Sequence, residues 1–397
     1  MHTASRVREY LVGETEAMVE LLGQLVNLES PSDVASSQGP LLDRLAEAFH
    51  ALDYKTTRLP ARLRYGGHLY ARPRNSVRNR GSRSDHCWQL LLGHCDTVWP
   101  LGTLQRMPLT RDGDVLRGPG VYDMKAGLVE IVFALKALGE LALVPSVEPV
   151  VFINSDEEVG SRESTRYIRA LARRADRALV MEPSLGLGGK LKTARKGVGR
   201  FVVKVRGKAA HSGLDPTGGA SAILELSHVI QKLFALNDPA RGASVNVGVI
   251  DGGVRANVVA PESSAIVDVR VANREDADRI ETAILSLHPE TPGVTIVAEG
   301  GIGRPPLEAT PANRMLWRIA ADLAHDLDFE LTEGMAGGAS DGNTTSLYTA
   351  TLDGLGAVGD GAHADHEHII VSQLPQRSAL LAMLLLQKPL LRNGECS

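Results

Sequence analysis

The hydrophobic positions of this chain switch repeatedly between the period of a helix and the continuous run of a buried strand. Between residues 14 and 52 apolar residues recur at helical spacing (Met18, Leu21, Leu22, Leu25 and Val26, then Leu42, Leu45 and Ala48) around a Ser30-Pro31 break, which predicts two opening helices. Residues 72–85 are polar, basic and rich in Ser, Asn and Gly, reading as an exposed loop before an apolar strand at 88–92. After a Gly/Pro-rich loop at 118–120 the pattern gives a helix at 125–141, a strand at 149–154, a helix at 164–173 and a strand at 177–181. Strands alternating with helices predict an α/β domain with a mixed, largely parallel central sheet.

The pattern changes beyond residue 190. A strand at 200–205, a helix at 220–236, strands at 244–250 and 265–271, a helix at 274–287 and a strand at 294–298 follow in the order βαββαβ, the ferredoxin-like split unit. That unit is complete in itself, so it predicts a domain at 191–303 inserted into an outer domain made of 1–190 and 304–397. Helices at 313–327 and 374–386 finish the outer domain, and no internal repeat or low-complexity tract interrupts the plan.

The length of 397 residues suits two or three domains of roughly 150 each. Lys and Arg number 43 against 47 Asp and Glu, a net charge of -4, which lacks the basic excess of a nucleic-acid or anionic-membrane binder and points to a small neutral or anionic metabolite. Cys87, Cys95 and Cys396 are odd in number and without C-x-x-C spacing, which fits a reducing compartment. Charges run through the N-terminal segment where a signal peptide needs an unbroken apolar stretch, and no uncharged apolar run reaches the ~18 residues of a membrane span. The expectation is a soluble, cytoplasmic protein with no membrane or nucleic-acid partner.

Candidate chemistry sits in separated blocks at strand ends and in Gly-rich loops, and in open α/β sheets such positions converge beyond the carboxyl ends of the strands. In LLLGHCDT, His94 and Asp96 point to the same side if the extended geometry continues, an imidazole backed by a carboxylate as zinc histidines favour. Taken alone, the pair also reads as a satisfied loop. In RGPGVYDMKAG, Asp123 lies on a Gly-rich turn before a helix; the phosphate-cradling patterns are absent, and a plain N-cap is the alternative. In VVFINSDEEVGS, Asp156, Glu157 and Glu158 repel one another unless cations offset them, and the apolar strand before them argues for a buried end over a solvated turn. Glu182 ends ALVMEPS, and His363 stands in GDGAHADHEHI with His366 and His368 close by, two residues assigned to a loop or helix surface.

Taken in order, HCDT, GPGVYDMKAG, SDEEVGS, MEPS, KAAHSG, GGASDGN and GAH closely resemble the co-catalytic zinc metallopeptidases typified by folate-cleaving glutamate carboxypeptidases, aminoacylases and N-acyl-amino-acid deacetylases. The resemblance spans nearly the whole chain. It implies a zinc-peptidase-like catalytic domain, with the insert serving as a dimerisation or lid domain. It further implies two Zn²⁺, for which Co²⁺ or Mn²⁺ are possible substitutes: His94 and Glu182 on one, Glu158 and His363 on the other, and Asp123 as the bridge. On the same resemblance a metal-bridging hydroxide is the nucleophile, Glu157 is the general base and Asp96 orients His94. His211, by itself more often a structural histidine, is implied to reach the partner subunit's site in a homodimer and help stabilise the oxyanion.

For the substrate's free carboxylate, Arg304 and the loop residues Gly337, Gly338 and Ser340 match the family's positions, and an arginine fork fits that group. Asn257 is a further candidate, and Arg270 reads equally as the partner of a neighbouring acid. Ser221 departs from the family pattern, where an asparagine is usual, and Cys95 sits between two presumed site residues. Glu182, where dipeptidase and tripeptidase branches tend to carry aspartate, leans toward a carboxypeptidase or deacylase. The expected function is hydrolysis of the amide bond of an N-acyl or peptidyl amino acid with a free carboxylate, in the manner of a glutamate carboxypeptidase. The alternatives are an N-acetyl-amino-acid deacetylase, aminoacylase or dipeptidase, and, from another class, a non-catalytic metal- or ligand-binding relative, against which the retention of Glu157 and every ligand position speaks.

Overall fold

A computed structural model describes residues 3–61, 65–75 and 88–390, so Cys87, Cys396 and most of the loop expected at 72–85 lie outside the described residues. The described chain forms two compact units. One takes in the residues up to Thr193, Ala309–Met335 and those from Ser340 onward; the other comprises Ala194–Glu308 and Ala336–Ala339.

The outer unit is built on a six-stranded mixed sheet in the spatial order Tyr54–Leu59, His68–Pro73, Glu148–Asn154, Trp88–His94, Ala175–Val180, Ala350–Leu352. The last four strands run parallel, and the first two add an antiparallel edge. Both faces of the sheet are covered, which is why its strands read as unbroken apolar runs. Leu91, Val151, Ile153 and Leu179 enter the larger core, where helices Ala126–Glu140 and Gln373–Leu385 pack together. Leu90, Leu92, Val150, Phe152 and Val180 turn to the opposite face, against Ile168 of helix Thr165–Ala172.

Strands Tyr54–Leu59, His68–Pro73 and Ala350–Leu352 and one helix are among the departures from the sequence reading. Three helices open the chain, Thr3–Gly13, Thr15–Val26 and Ala35–Ala51, where two were expected. The first buries only Ala4, Val7 and Leu11, a stripe too sparse to stand out. Strand His68–Pro73 overlaps the start of the segment expected as a loop, and strand Tyr54–Leu59 buries a single residue, Tyr54. An edge strand with little to bury carries little hydrophobic signal.

The second unit has strands Gly197–Arg206, Ser244–Gly252, Glu262–Val271 and Thr295–Arg304 with helices Ala222–Phe234 and Arg274–Leu285. Its antiparallel sheet places the second strand outermost, then the third, the first and the fourth, and Phe201, Val203, Val267, Val269, Val229 and Ile280 close its own core. Among the described residues no helix is long and apolar enough to cross a membrane.

Candidate metal centre

Three parallel neighbours deliver the first candidate ligands. His94 is the last residue of its strand and pairs in register with Asn154, the last of the next; Glu157 and Glu158 follow that strand by a few residues, and Glu182 follows Ala175–Val180. All therefore emerge at the same carboxyl edge of the sheet. Asp123 arrives from the loop that leads into helix Ala126–Glu140, and His363 from a loop near the end of the chain, with a left-handed backbone (φ 62°) that few non-glycine residues adopt.

The side chains converge as two groups that share one carboxylate. His94 Nε2 lies 3.3 Å from Asp123 Oδ1 and 3.6 Å from Glu182 Oε1. His363 Nε2 lies 3.4 Å from Asp123 Oδ2 and 3.1 Å from Glu158 Oε2. Asp123 thus turns one oxygen to each histidine. Donor atoms on one tetrahedral zinc, at about 2.0–2.2 Å from the ion, stand roughly 3.3–3.6 Å from each other. Three of the four separations fall in that range and are longer than good hydrogen bonds. Asp123 Oδ1 and Glu158 Oε1 are buried without a hydrogen-bond partner among the described residues, as expected of oxygens shaped for a cation. The donor set of imidazole and carboxylate suits zinc.

Electrostatics point the same way. Burial alone would lower His94, but the carboxylates of Asp123, Asp96 and Glu182 outweigh it and hold it well above its ordinary value. Asp123 and Glu158 push His363 up to about 10. Burial opposes ionisation of Asp123, yet the two imidazoles hold it well below the usual carboxylate range, while for Glu158 burial prevails and raises it. The cluster concentrates negative charge that positive charge must offset, whether protons on the histidines or a metal.

His94 Nδ1 stands 2.9 Å from the main-chain carbonyl of Asp96 and 3.6 Å from its carboxylate. A carbonyl oxygen only accepts, so Nδ1 carries the hydrogen and Nε2 is the nitrogen that could offer a lone pair to a metal. The Asp96 carboxylate instead accepts from the backbone amides of Glu157 and Glu158 (3.2 Å each) and from Ser32 Oγ (2.7 Å). Asp96 therefore ties the His94 strand to the acidic loop as well as orienting the imidazole. Glu157 is largely buried, and a carboxylate oxygen of it lies within 4.8 Å of donor atoms of His94 and Glu182. Asp156 turns away, its Oδ2 accepting from the amides of Glu163 (2.8 Å) and Ser164 (3.3 Å).

The remaining candidates are spread over both units. Ser340, in the outer unit, is fully buried at the N-cap of helix Asp341–Thr345, where its hydroxyl donates to Asp353 and accepts from Gly342 N. That hydroxyl serves the fold rather than a ligand. In the second unit, Arg270 is held by both oxygens of Asp268 (2.8 and 3.1 Å), the pairing weighed against a substrate role. Arg304 ends the strand Thr295–Arg304, at the sheet edge opposite Ser244–Gly252, and Gly337 and Gly338 lie in the short segment Ala336–Ala339. His211 and Asn257 are brought together, Ser212 N donating to Asn257 O at 3.1 Å. His211 Nδ1 accepts from the amides of Gly213 and Leu214 at 3.1 Å each, so the neutral, exposed ring carries its hydrogen on Nε2, ready to donate. His366 is exposed and its carbonyl meets His368 Nδ1, a local loop contact.

One site residue escaped the sequence reading. Glu367, four positions after His363, is fully buried and grips the Asp123 loop. Its signal in the sequence was an acid inside a His-rich tract, which by composition reads as solvated.

Residues 193–292 match the M20-type peptidase dimerisation domain. The chain is similar to carboxypeptidase G2 from Pseudomonas sp. (strain RS-16), with 29% identity over 382 residues that cover 94% of this chain and 89% of that protein. It is also similar to succinyl-diaminopimelate desuccinylase from Delftia acidovorans, with 26% identity over 381 residues, 90% of this chain and 94% of that protein. The crystal structure of aminopeptidase PepT from Bacillus cereus shares the fold, with a TM-score of 0.73 at 20% identity over 94% of this chain and 98% of that one.

Proposed function

We propose that this chain, with its M20-type dimerisation domain and its similarity to a carboxypeptidase and a desuccinylase, is an M20-type amide hydrolase that cleaves the amide bond of an N-acyl or peptidyl amino acid bearing a free carboxylate, as a glutamate carboxypeptidase does. The observation that carries the reading is Asp123, whose two oxygens are divided between the His94–Glu182 and the His363–Glu158 groups. This suits a two-metal hydrolase, in which His94, Asp123 and Glu182 would hold one zinc ion and Asp123, Glu158 and His363 the other. Zinc at these positions supplies Lewis-acid polarisation of the scissile carbonyl and lowers the pKa of the attacking water.

The chain's own groups do the proton work. Glu157 accepts the water's proton and passes it to the departing amine nitrogen, while Asp96 holds its backbone amide and that of Glu158 so the two acids keep separate tasks. Arg304 and the Gly337–Gly338 backbone are assigned to the substrate carboxylate, with Asn257 beside His211 as an additional polar contact. His211, donating from Nε2, stabilises the developing oxyanion of the partner subunit's substrate.

The homodimer this requires is supported by the second unit's outermost strand, Ser244–Gly252, which exposes Val249 and Ile250, with Val254 exposed just beyond. An apolar sheet edge of this kind suits a second copy of itself.

Glu157→Gln tests the mechanism. It removes the proton carrier and leaves the ligands, so two equivalents of zinc should still bind while kcat falls about 10²–10⁴-fold on N-acyl amino acids and short peptides. Undiminished turnover, or activity that survives exhaustive chelation, would sink the assignment.

A further inference from the structure

Glu367 is fully buried yet is no ligand in the centre described above. Its Oε1 accepts from the amides of Tyr122 (2.9 Å) and Asp123 (3.0 Å), and its Oε2 from the amide of Gly120 (2.9 Å) and from Trp99 Nε1 (2.7 Å). Four neutral donors thus fill one carboxylate, and three of them are consecutive or near-consecutive amides of the loop that presents Asp123. Glu367 also accepts through its carbonyl from Gly118 N at 3.3 Å, and its neighbour His368 pairs with Arg117 in a small antiparallel sheet. The loop carrying Asp123 and the loop carrying His363 are consequently fastened together at one buried side chain.

Resting on the two-metal reading, we propose that Glu367 is a positioning residue of the metal centre, one that fixes the Asp123 carboxylate relative to His363 and thereby sets the affinity for the second ion. A carboxylate that is to serve two ions would have to hold each oxygen to within about 0.2 Å of its ligating position, and Asp123 shares its peptide chain with the amides that Glu367 holds. Outer partners of this kind typically govern metal affinity by about 10–100-fold. A glutamine cannot replace the acid, because its amide nitrogen donates and would meet N–H groups that also donate. An aspartate keeps the acceptors but is one methylene short, so it reaches only some of them.

The test uses the full chain, titrated with zinc against a chromophoric chelator and with cobalt followed by its visible absorption. Wild type should bind two equivalents. Glu367→Gln should bind the second about 10–100-fold more weakly and alter the cobalt spectrum, with Glu367→Asp in between. Trp99→Phe, which removes one donor, should shift both readouts less. Leu384→Ala, a core truncation in helix Gln373–Leu385, serves as the control for general destabilisation and should leave both unchanged. Should Glu367→Gln fail to fold, Glu367→Asp decides the matter by the same readouts. Wild-type affinity and spectrum in the folded Glu367 variants would overturn the proposal, as would equal losses in Leu384→Ala. Failure of wild type to take up two ions is a different result, which refutes the two-metal reading itself.

Discussion

Asp156, Glu157 and Glu158 are adjacent acids of nearly the same chemistry that meet three different surroundings. Asp156 accepts backbone amides, Glu157 stands beside His94 and Glu182, and Glu158 faces His363. Residue-scale electrostatics also dictate how metal uptake depends on protons. His94 and His363 are raised by their carboxylate neighbours, His363 to about 10, so both hold a proton more tightly when chelator keeps metal away. A ligating imidazole is neutral, so zinc must displace those protons. Calorimetry near pH 7.5 in buffers of different ionisation enthalpy should therefore register release of about two protons or more per centre filled, and none would contradict the ligand set. The same shift bears on stability. A histidine raised from ~6.5 stabilises the fold fully below that value and loses the contribution as pH rises through its folded pKa. Chelated protein should lose thermal stability between neutral pH and about 10, and zinc-loaded protein should lose much less.

At the scale of elements, the helix Ala126–Glu140 and the strand Ala175–Val180 must approach closely for Asp123 and Glu182 to meet. Gly127 permits it: a Cβ there would lie 2.2 Å from the Met181 carbonyl, immediately before Glu182. Gly127→Ala should cost about 1–3 kcal/mol, seen as a lower urea midpoint, and should weaken zinc binding because backbone rather than a flexible side chain must yield. An unchanged midpoint would show that the approach is not tight. The departure at Ser221 has a simple local account. Its hydroxyl caps helix Ala222–Phe234 by accepting from Leu224 N at 3.2 Å, a role in which serine and asparagine are near-equivalent. The periodic elements were legible because each buries a full face, whereas the edge strand Tyr54–Leu59 buries only Tyr54, and His68–Pro73, which buries His68, Leu69 and Ala71, runs into the polar segment at 72–85 that masked its end.

For the whole molecule, the prediction concerns assembly. Placing Lys at Val249 and Ile250 together should charge the exposed edge and convert a dimer to a monomer in sedimentation, while a persistent dimer would move the interface elsewhere. Mixed dimers of His211→Ala and Glu157→Gln should regain activity that neither parent has, and no recovery in verified mixed dimers would place His211 outside the partner's site. The sequence by itself determined the alternation of strands and helices, the self-contained βαββαβ insert, and the types and order of the candidate ligands, since periodicity and residue chemistry are written among near neighbours. Tertiary structure alone decided that Asp123 faces two histidines at once, that Asp96 grips the acidic loop, that His363 sits in a left-handed backbone, and that Glu367 is buried on the Asp123 loop. Those facts depend on contacts between segments as much as 247 residues apart, where packing, not local pattern, decides which polar group loses water and which partner replaces it.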